Sequence, residues 1–98
     1  MKFSELQVSL WRHMLESIND YRQNRITFSN LVGCLENSLI AGDFPEDENL
    51  FIQWYDYWTS LEILNATKGD EMLIQEVNVY LSALQIFLIK IHVQMQSM

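Results

Sequence analysis

The chain has 98 residues, 49% of them hydrophobic, with six Lys and Arg against thirteen Asp and Glu and a formal net charge of −7. Such a length makes one domain, residues 1–98, around one core, and the apolar content is far too high for a disordered acidic tail. The acidic balance argues against direct nucleic-acid binding, which needs Lys and Arg to neutralise phosphates, and against docking on anionic membranes.

Three Gly and one Pro leave few places to break the chain, so long helices joined by short turns are expected. Ser4 and Gln7 have capping-box spacing, and Phe3 with Val8 that of a hydrophobic staple. Leu6, Leu10, Met14, Ile18 and Tyr21 then recur at helical spacing, widened by Trp11 and Leu15, up to about Asn24. Thr27 caps a second helix, with Ile26 and Leu31 in staple positions; Leu31, Leu35 and Leu39 share its face and Gly42 stops it. Gly33 lies inside this helix, where a close approach of another helix would account for it. Asp43-Phe44-Pro45-Glu46 opens a third helix, since Pro and acids both suit a first turn. Leu50 or Phe51, then Trp54, Trp58, Leu61 and Asn65 carry it to about Ala66, ahead of a Lys68-Gly69-Asp70 turn.

From Glu71 to about Gln94 two periodicities compete. Val77, Val79 and Leu81 alternate as a strand would, as do Ile89, Ile91 and Val93. Ile74, Val77, Leu81, Leu84, Leu88 and Ile91 equally form one helical face, and more than twenty residues without Gly or Pro decide for a helix. Apolar residues on nearly all its sides place it centrally against the other three. The expected fold is all-α, a single small four-helix bundle-like domain; the alternative is α+β with a small C-terminal β element.

The lone Cys34 excludes an internal disulfide and favours a cytoplasmic setting. Glu5 and Gln7 interrupt any leader-like apolar run, and Leu84 to Val93, broken by Gln85, Lys90 and His92, is about half the ~20 residues that span a bilayer. A soluble protein is expected.

Catalytic and metal chemistry find no foothold. His13, His92 and Cys34 lack the close paired spacings of zinc sites, so no metal and no cofactor is expected. Cys34 sits among Leu31, Val32 and Leu35 with Glu36 as the nearest charge, a setting for a small buried hydrophobe rather than an activated thiol. Neither a glycine-rich phosphate loop nor a Ser-His-Asp-like order occurs, and the chain reads as a non-enzyme.

Charge points elsewhere. Between Arg25 and Lys68 no basic residue occurs, yet seven acids do: Glu36, Asp43, Glu46, Asp47, Glu48, Asp56 and Glu62. Glu46, Asp47 and Glu48 fan round a helix start, and the helix dipole alone explains those three. It does not explain the missing cations, because ordinary exposed helices intersperse both signs. Trp54 and Trp58 fall on the apolar stripe and read as core. Tyr55 and Tyr57 lie off it, beside Asp56, where an aromatic side chain makes a good interface anchor. These seven acids and two tyrosines are the candidate partner-binding residues, with the acids steering a basic partner.

The stretch Leu31-Val32-Gly33-Cys34-Leu35-Glu36, the acidic Pro turn, and then Trp58-Thr59-Ser60-Leu61-Glu62-Ile63 with Ala66 resemble small immunity proteins of bacterial polymorphic toxin systems, including contact-dependent growth inhibition. The resemblance covers roughly residues 26 to 66. It implies a bacterial cytoplasmic protein that binds one cognate toxin domain, in many cases a nuclease with a basic cleft, as a monomer in a one-to-one complex. The competing expectation is a helical adapter or regulator that self-associates through Ile86, Phe87, Ile89 and Ile91 of its apolar last helix.

Overall fold

The computed structural model describes residues 3–44, 49–71 and 74–96, with residues 70 and 96 described by backbone alone. Four helices follow one another: α1 (Glu5–Arg22), α2 (Phe28–Ala41), α3 (Asn49–Lys68) and α4 (Ile74–Gln96), with a 3-10 turn at Gly69–Glu71 between the last two. No strand occurs among the described residues, so over the C-terminal segment the helical period prevails over the alternating one.

Local chemistry sets the helix ends. Ser4 Oγ accepts from the Gln7 N–H at 3.1 Å while Gln7 Oε1 accepts from the Ser4 N–H at 3.0 Å, a complete capping box. Thr27 caps α2 by accepting from the Asn30 N–H at 3.1 Å. At the other end of α1, Asn24 takes a left-handed φ of 61° and Arg25 N–H reaches back to Asp20 O at 2.8 Å, the Schellman closure. The expected opening of the third helix at Pro45 and Glu46 lies outside the described residues; α3 is described from Asn49 and runs two residues past Ala66.

The helices run up and down in a closed ring. Gln7 Nε2 donates to Gly42 O (3.0 Å) between α1 and α2, Ser29 Oγ to Asn65 Oδ1 (2.9 Å) between α2 and α3, and Arg22 to Asn78 Oδ1 (2.8 Å) between α1 and α4. Across the diagonals, α1 with α3 and α2 with α4, no two Cα atoms come within 8 Å. The core inside the ring contains Trp11, Met14, Ile18, Leu31, Leu35, Trp54, Leu61, Val77, Leu81, Leu84 and Leu88.

Three expectations change. Leu6 is exposed and Leu10 only half-buried, because Trp11 rather than Leu10 faces inward; the α1 stripe is Trp11, Met14, Ile18 and Tyr21. Helix α4 is not central. It packs on α1 and α3 only and leaves Val79, Tyr80, Ile86, Ile89 and Val93 exposed. By length and composition Ile74–Met95 is also apolar enough to cross a membrane, although Val77, Leu81, Leu84 and Leu88 are buried in the bundle. Gly33 faces open space: a Cβ there would meet nothing within 4 Å outside its own helix, so no close helix approach accounts for it.

Gly42 is the glycine that packing requires. Its φ of −77° suits any residue, and the left-handed position falls on Asp43 (φ 51°) instead. A Cβ at Gly42 would stand 2.3 Å from the Phe44 ring, which is buried against Phe3 and Trp11 and has little room to yield.

The two glycines therefore respond oppositely to alanine. Gly33→Ala should stabilise by about 0.5–1 kcal/mol, raising the melting temperature by a few degrees. Gly42→Ala should destabilise by about 1–3 kcal/mol through overpacking. Urea and thermal unfolding of both variants check the pair.

Candidate functional site

Helix α3 carries four of the nine candidate residues, and its two flanks face different neighbours. Tyr55 and Tyr57 are two residues apart, so they point about 200° away from each other round the helix. On the α2 side, Trp58 Nε1 donates to Val32 O at 3.2 Å. Tyr55 and Glu62, three residues before and four after Trp58, lie on this flank, Glu62 exposed and Tyr55 37% exposed. Glu36 joins them: it follows Ser29 by two turns on α2, and Ser29 bonds Asn65 of α3. Glu36 is half-buried.

Tyr55 is held in place by its neighbours. Its ring lies 5.2 Å from Phe51, 5.7 Å edge-on from Trp54 and 5.3 Å edge-on from Trp58, while the two indoles stack at 5.7 Å and 15°. A half-exposed tyrosine clamped by three rings loses little freedom on binding, which is what an interface anchor requires.

On the opposite flank, Asp56 and Tyr57 line a groove of about 310 Å³ between α3 and α4, with Ser60, Val79, Tyr80 and Ala83. Tyr57 is less free than the sequence suggests, since it is half-buried with its ring 5.1 Å from Phe87. Asp43 is exposed at the end of α2, beside Phe44. Glu46, Asp47 and Glu48 lie outside the described residues. Helical spacing thus puts Glu36, Tyr55 and Glu62 on the α2–α3 side, Tyr55 and Glu62 two turns apart, while Asp56 and Tyr57 line the α3–α4 groove and Asp43 lies at a bundle end.

None of Glu36, Asp43, Asp56 and Glu62 forms an ion pair with a described residue. The pairs present are Arg25 with Asp20 at 3.4 Å and Lys68 with Glu76. Lys68, the cation that closes the acidic stretch, is therefore already engaged with α4.

Among the described residues no three His, Cys, Asp or Glu side chains gather closely enough to hold a metal ion. Cys34 is half-buried, His13 exposed, and His92 half-buried with Nε2 shielded and unpartnered. Trp54 Nε1 and Tyr21 Oη are likewise buried without a partner, although Trp11 and Trp58 both find carbonyls. Burial raises the Tyr21 phenol above its ordinary value of 10.0, with the Arg22 guanidinium partly opposing the shift. No protein-family model matches this chain, and no curated protein and no solved structure matches it either.

The Tyr21 phenol makes alkaline stability a direct test of that burial. Above pH 10 the unfolded chain gives up this proton before the folded one, so the folded state binds more protons and loses stability as pH rises. Tyr21→Phe removes a buried hydroxyl that bonds nothing. It should be neutral or slightly stabilising at pH 7, and should flatten the loss of urea midpoint between pH 9 and 11.

Proposed function

We propose that this chain is an immunity-type inhibitor: it binds a cognate toxin domain, expected to be a nuclease, and covers the basic active-site cleft with its acidic α2–α3 face. The observation that carries this reading is Tyr55, a half-exposed ring clamped by Phe51, Trp54 and Trp58 on the flank of α3 that also carries Glu62, in a stretch with no Lys or Arg between residues 26 and 67. A nuclease cleft must hold phosphates and is therefore basic, so an anionic helical surface can occupy it and exclude substrate. Asp43, Glu46, Asp47, Glu48 and Asp56 add to the field that speeds encounter above the neutral range of about 10⁵–10⁶ M⁻¹s⁻¹. Tyr55 supplies desolvated contact area. The resemblance of residues 26 to 66 to immunity proteins supports the same reading, which places the protein in the cytoplasm and assigns it no catalysis of its own.

One observation favours a second reading, an adapter that self-associates through α4. Ile86 and Ile89 are exposed, whereas Phe87 and Ile91 pack with the core, so half of the expected interface stands free on the surface.

Co-purification with the toxin domain encoded beside the gene, followed by a nuclease assay of the pair, tests the first reading. A tight complex that blocks cleavage and loosens with salt is the expected result. Tyr55→Ala should weaken it about 30-fold, as loss of a 2 kcal/mol anchor does, and Glu62→Lys with Glu36→Gln should slow association while circular dichroism stays unchanged. Affinity indifferent to all three changes would refute the acidic face.

A further inference from the structure

The groove of about 310 Å³ between α3 and α4 lies on the flank of α3 opposite Tyr55, apart from the acidic α2–α3 face. Ser60 and Ala83 are short, and the larger Tyr57, Val79 and Tyr80 stand around the space they leave. The lining is therefore mostly hydrocarbon and phenol ring, and its one acid is Asp56. Tyr57 is fixed, with its ring 5.1 Å from that of the buried Phe87.

The charge in this groove is uncompensated. Asp56 is exposed and forms no ion pair with a described residue: Lys68 pairs with Glu76, and Lys90, on the same side of α4 as Ala83, does not reach it. A carboxylate among phenol rings and apolar surface suits a cation carried on a hydrocarbon stem. The carboxylate accepts charge-assisted hydrogen bonds, the ring faces attract the cation, and the apolar walls take the stem. A phosphate or a carboxylate in the same place would be repelled.

The shape of the groove says what carries the cation. Small free ligands are held by cavities that bury about 70–90% of their surface. Here Asp56, Val79 and Tyr80 all stay exposed, so the trough is open to solvent along one side. Its α4 rim continues from Val79, 74% exposed, to Ile86, 68% exposed and two helical turns further along the same stripe. A small cation would leave that rim in water. A protein surface covers both, with a basic side chain in the groove and apolar neighbours on the rim.

We propose that the α3–α4 groove is a docking site for an arginine or lysine side chain of a protein partner. Its cation meets Asp56, its stem lies against Tyr57 and Tyr80, and apolar residues beside it in the partner rest on Val79 and Ile86. The site is independent of the acidic α2–α3 face, because Tyr55 and Glu62 lie on the other flank of α3; either can fail while the other stands. It gives the exposed apolar stripe of α4 a use that needs no second copy of the chain.

Amide chemical shifts of the isotope-labelled full chain, titrated with the acetylated and amidated peptide Leu-Arg-Leu, test the proposal. The same peptide with citrulline in place of Arg is the uncharged control. Shifts are expected at Asp56, Tyr57, Tyr80 and Ala83, saturating at about millimolar peptide. The citrulline peptide should bind at least about tenfold more weakly, as loss of a charge-assisted hydrogen bond implies. Asp56→Asn should remove that difference, and Glu16→Gln, which removes a charge from the exposed side of α1, should leave it intact. No shift at Asp56, shifts centred on other acids, or equal binding of the two peptides overturns the site. Agmatine binding as tightly as the arginine peptide assigns the groove to a free organic cation and overturns the protein partner. Flotation with phosphatidylcholine vesicles that Asp56→Asn abolishes assigns it to a lipid headgroup, with the same consequence.

Discussion

Two buried indole N–H groups tie this ring of helices together. Trp11 Nε1 donates to Leu88 O at 2.9 Å, fixing α1 to α4, and Trp58 Nε1 donates to Val32 O at 3.2 Å, fixing α3 to α2. Both acceptors lie within helices, where a carbonyl already takes its own helix's N–H and offers the indole its second lone pair. Each bond removes a desolvation penalty of about 1–3 kcal/mol that a bulky, fully buried indole would otherwise carry. They act on opposite sides of the ring, so each helix pair is held in register by a bond that apolar packing alone would not direct. Trp54 shows the other outcome. Its N–H has no partner, and contacts worth about 0.5–1.5 kcal/mol each with Trp58 and Tyr55 must offset that loss. The same contacts fix Tyr55, so the core and the proposed anchor share one aromatic cluster.

Much of the fold was legible because its signals are local. Ser4 with Gln7 and Thr27 with Asn30 act within four residues, and both caps form as their spacing predicts. The stripe Val77, Leu81, Leu84 and Leu88 likewise needs only the helical period. What failed depended on neighbours. Whether Trp11 or Leu10 faces inward turns on where α4 offers a carbonyl. Sequence separates Gly33, inside α2, from Gly42, its stop, but only the position of the Phe44 ring shows which of the two is crowded. Apolar residues all round α4 suggested a central helix, yet a closed ring of four has no central position. The surplus apolar face had to lie outside.

The candidate site was half legible. That Tyr55 and Tyr57 diverge follows from helical geometry alone, but which flank meets α2 does not. The Ser29–Asn65 and Trp58–Val32 bonds decide that, and they put Tyr55 and Glu62 on the α2 side while Asp56 turns to the groove. On α4, Ile86 and Ile89 stand exposed while Phe87 and Ile91 pack with the core, a division that the even spread of apolar residues along the helix does not reveal.

Glu36 and Glu62 lie on the α2–α3 side of the ring, whereas Val79, Ile86 and Val93 stand exposed on α4 across it, with Asp56 beside Val79 in the α3–α4 groove. An acidic face that attracts a basic partner also repels its own copy, so such a face and a self-association face conflict if they adjoin. Here they fall on different sides of a ring whose diagonal helices do not approach, and ionic screening over about 8 Å at physiological salt weakens what repulsion remains. Lys68 ends the acidic stretch but pairs with Glu76 of α4, so it does not neutralise the α2–α3 face. An acidic face that steers a partner and an α4 face that joins two copies therefore meet only at Asp56, which lines the α3–α4 groove.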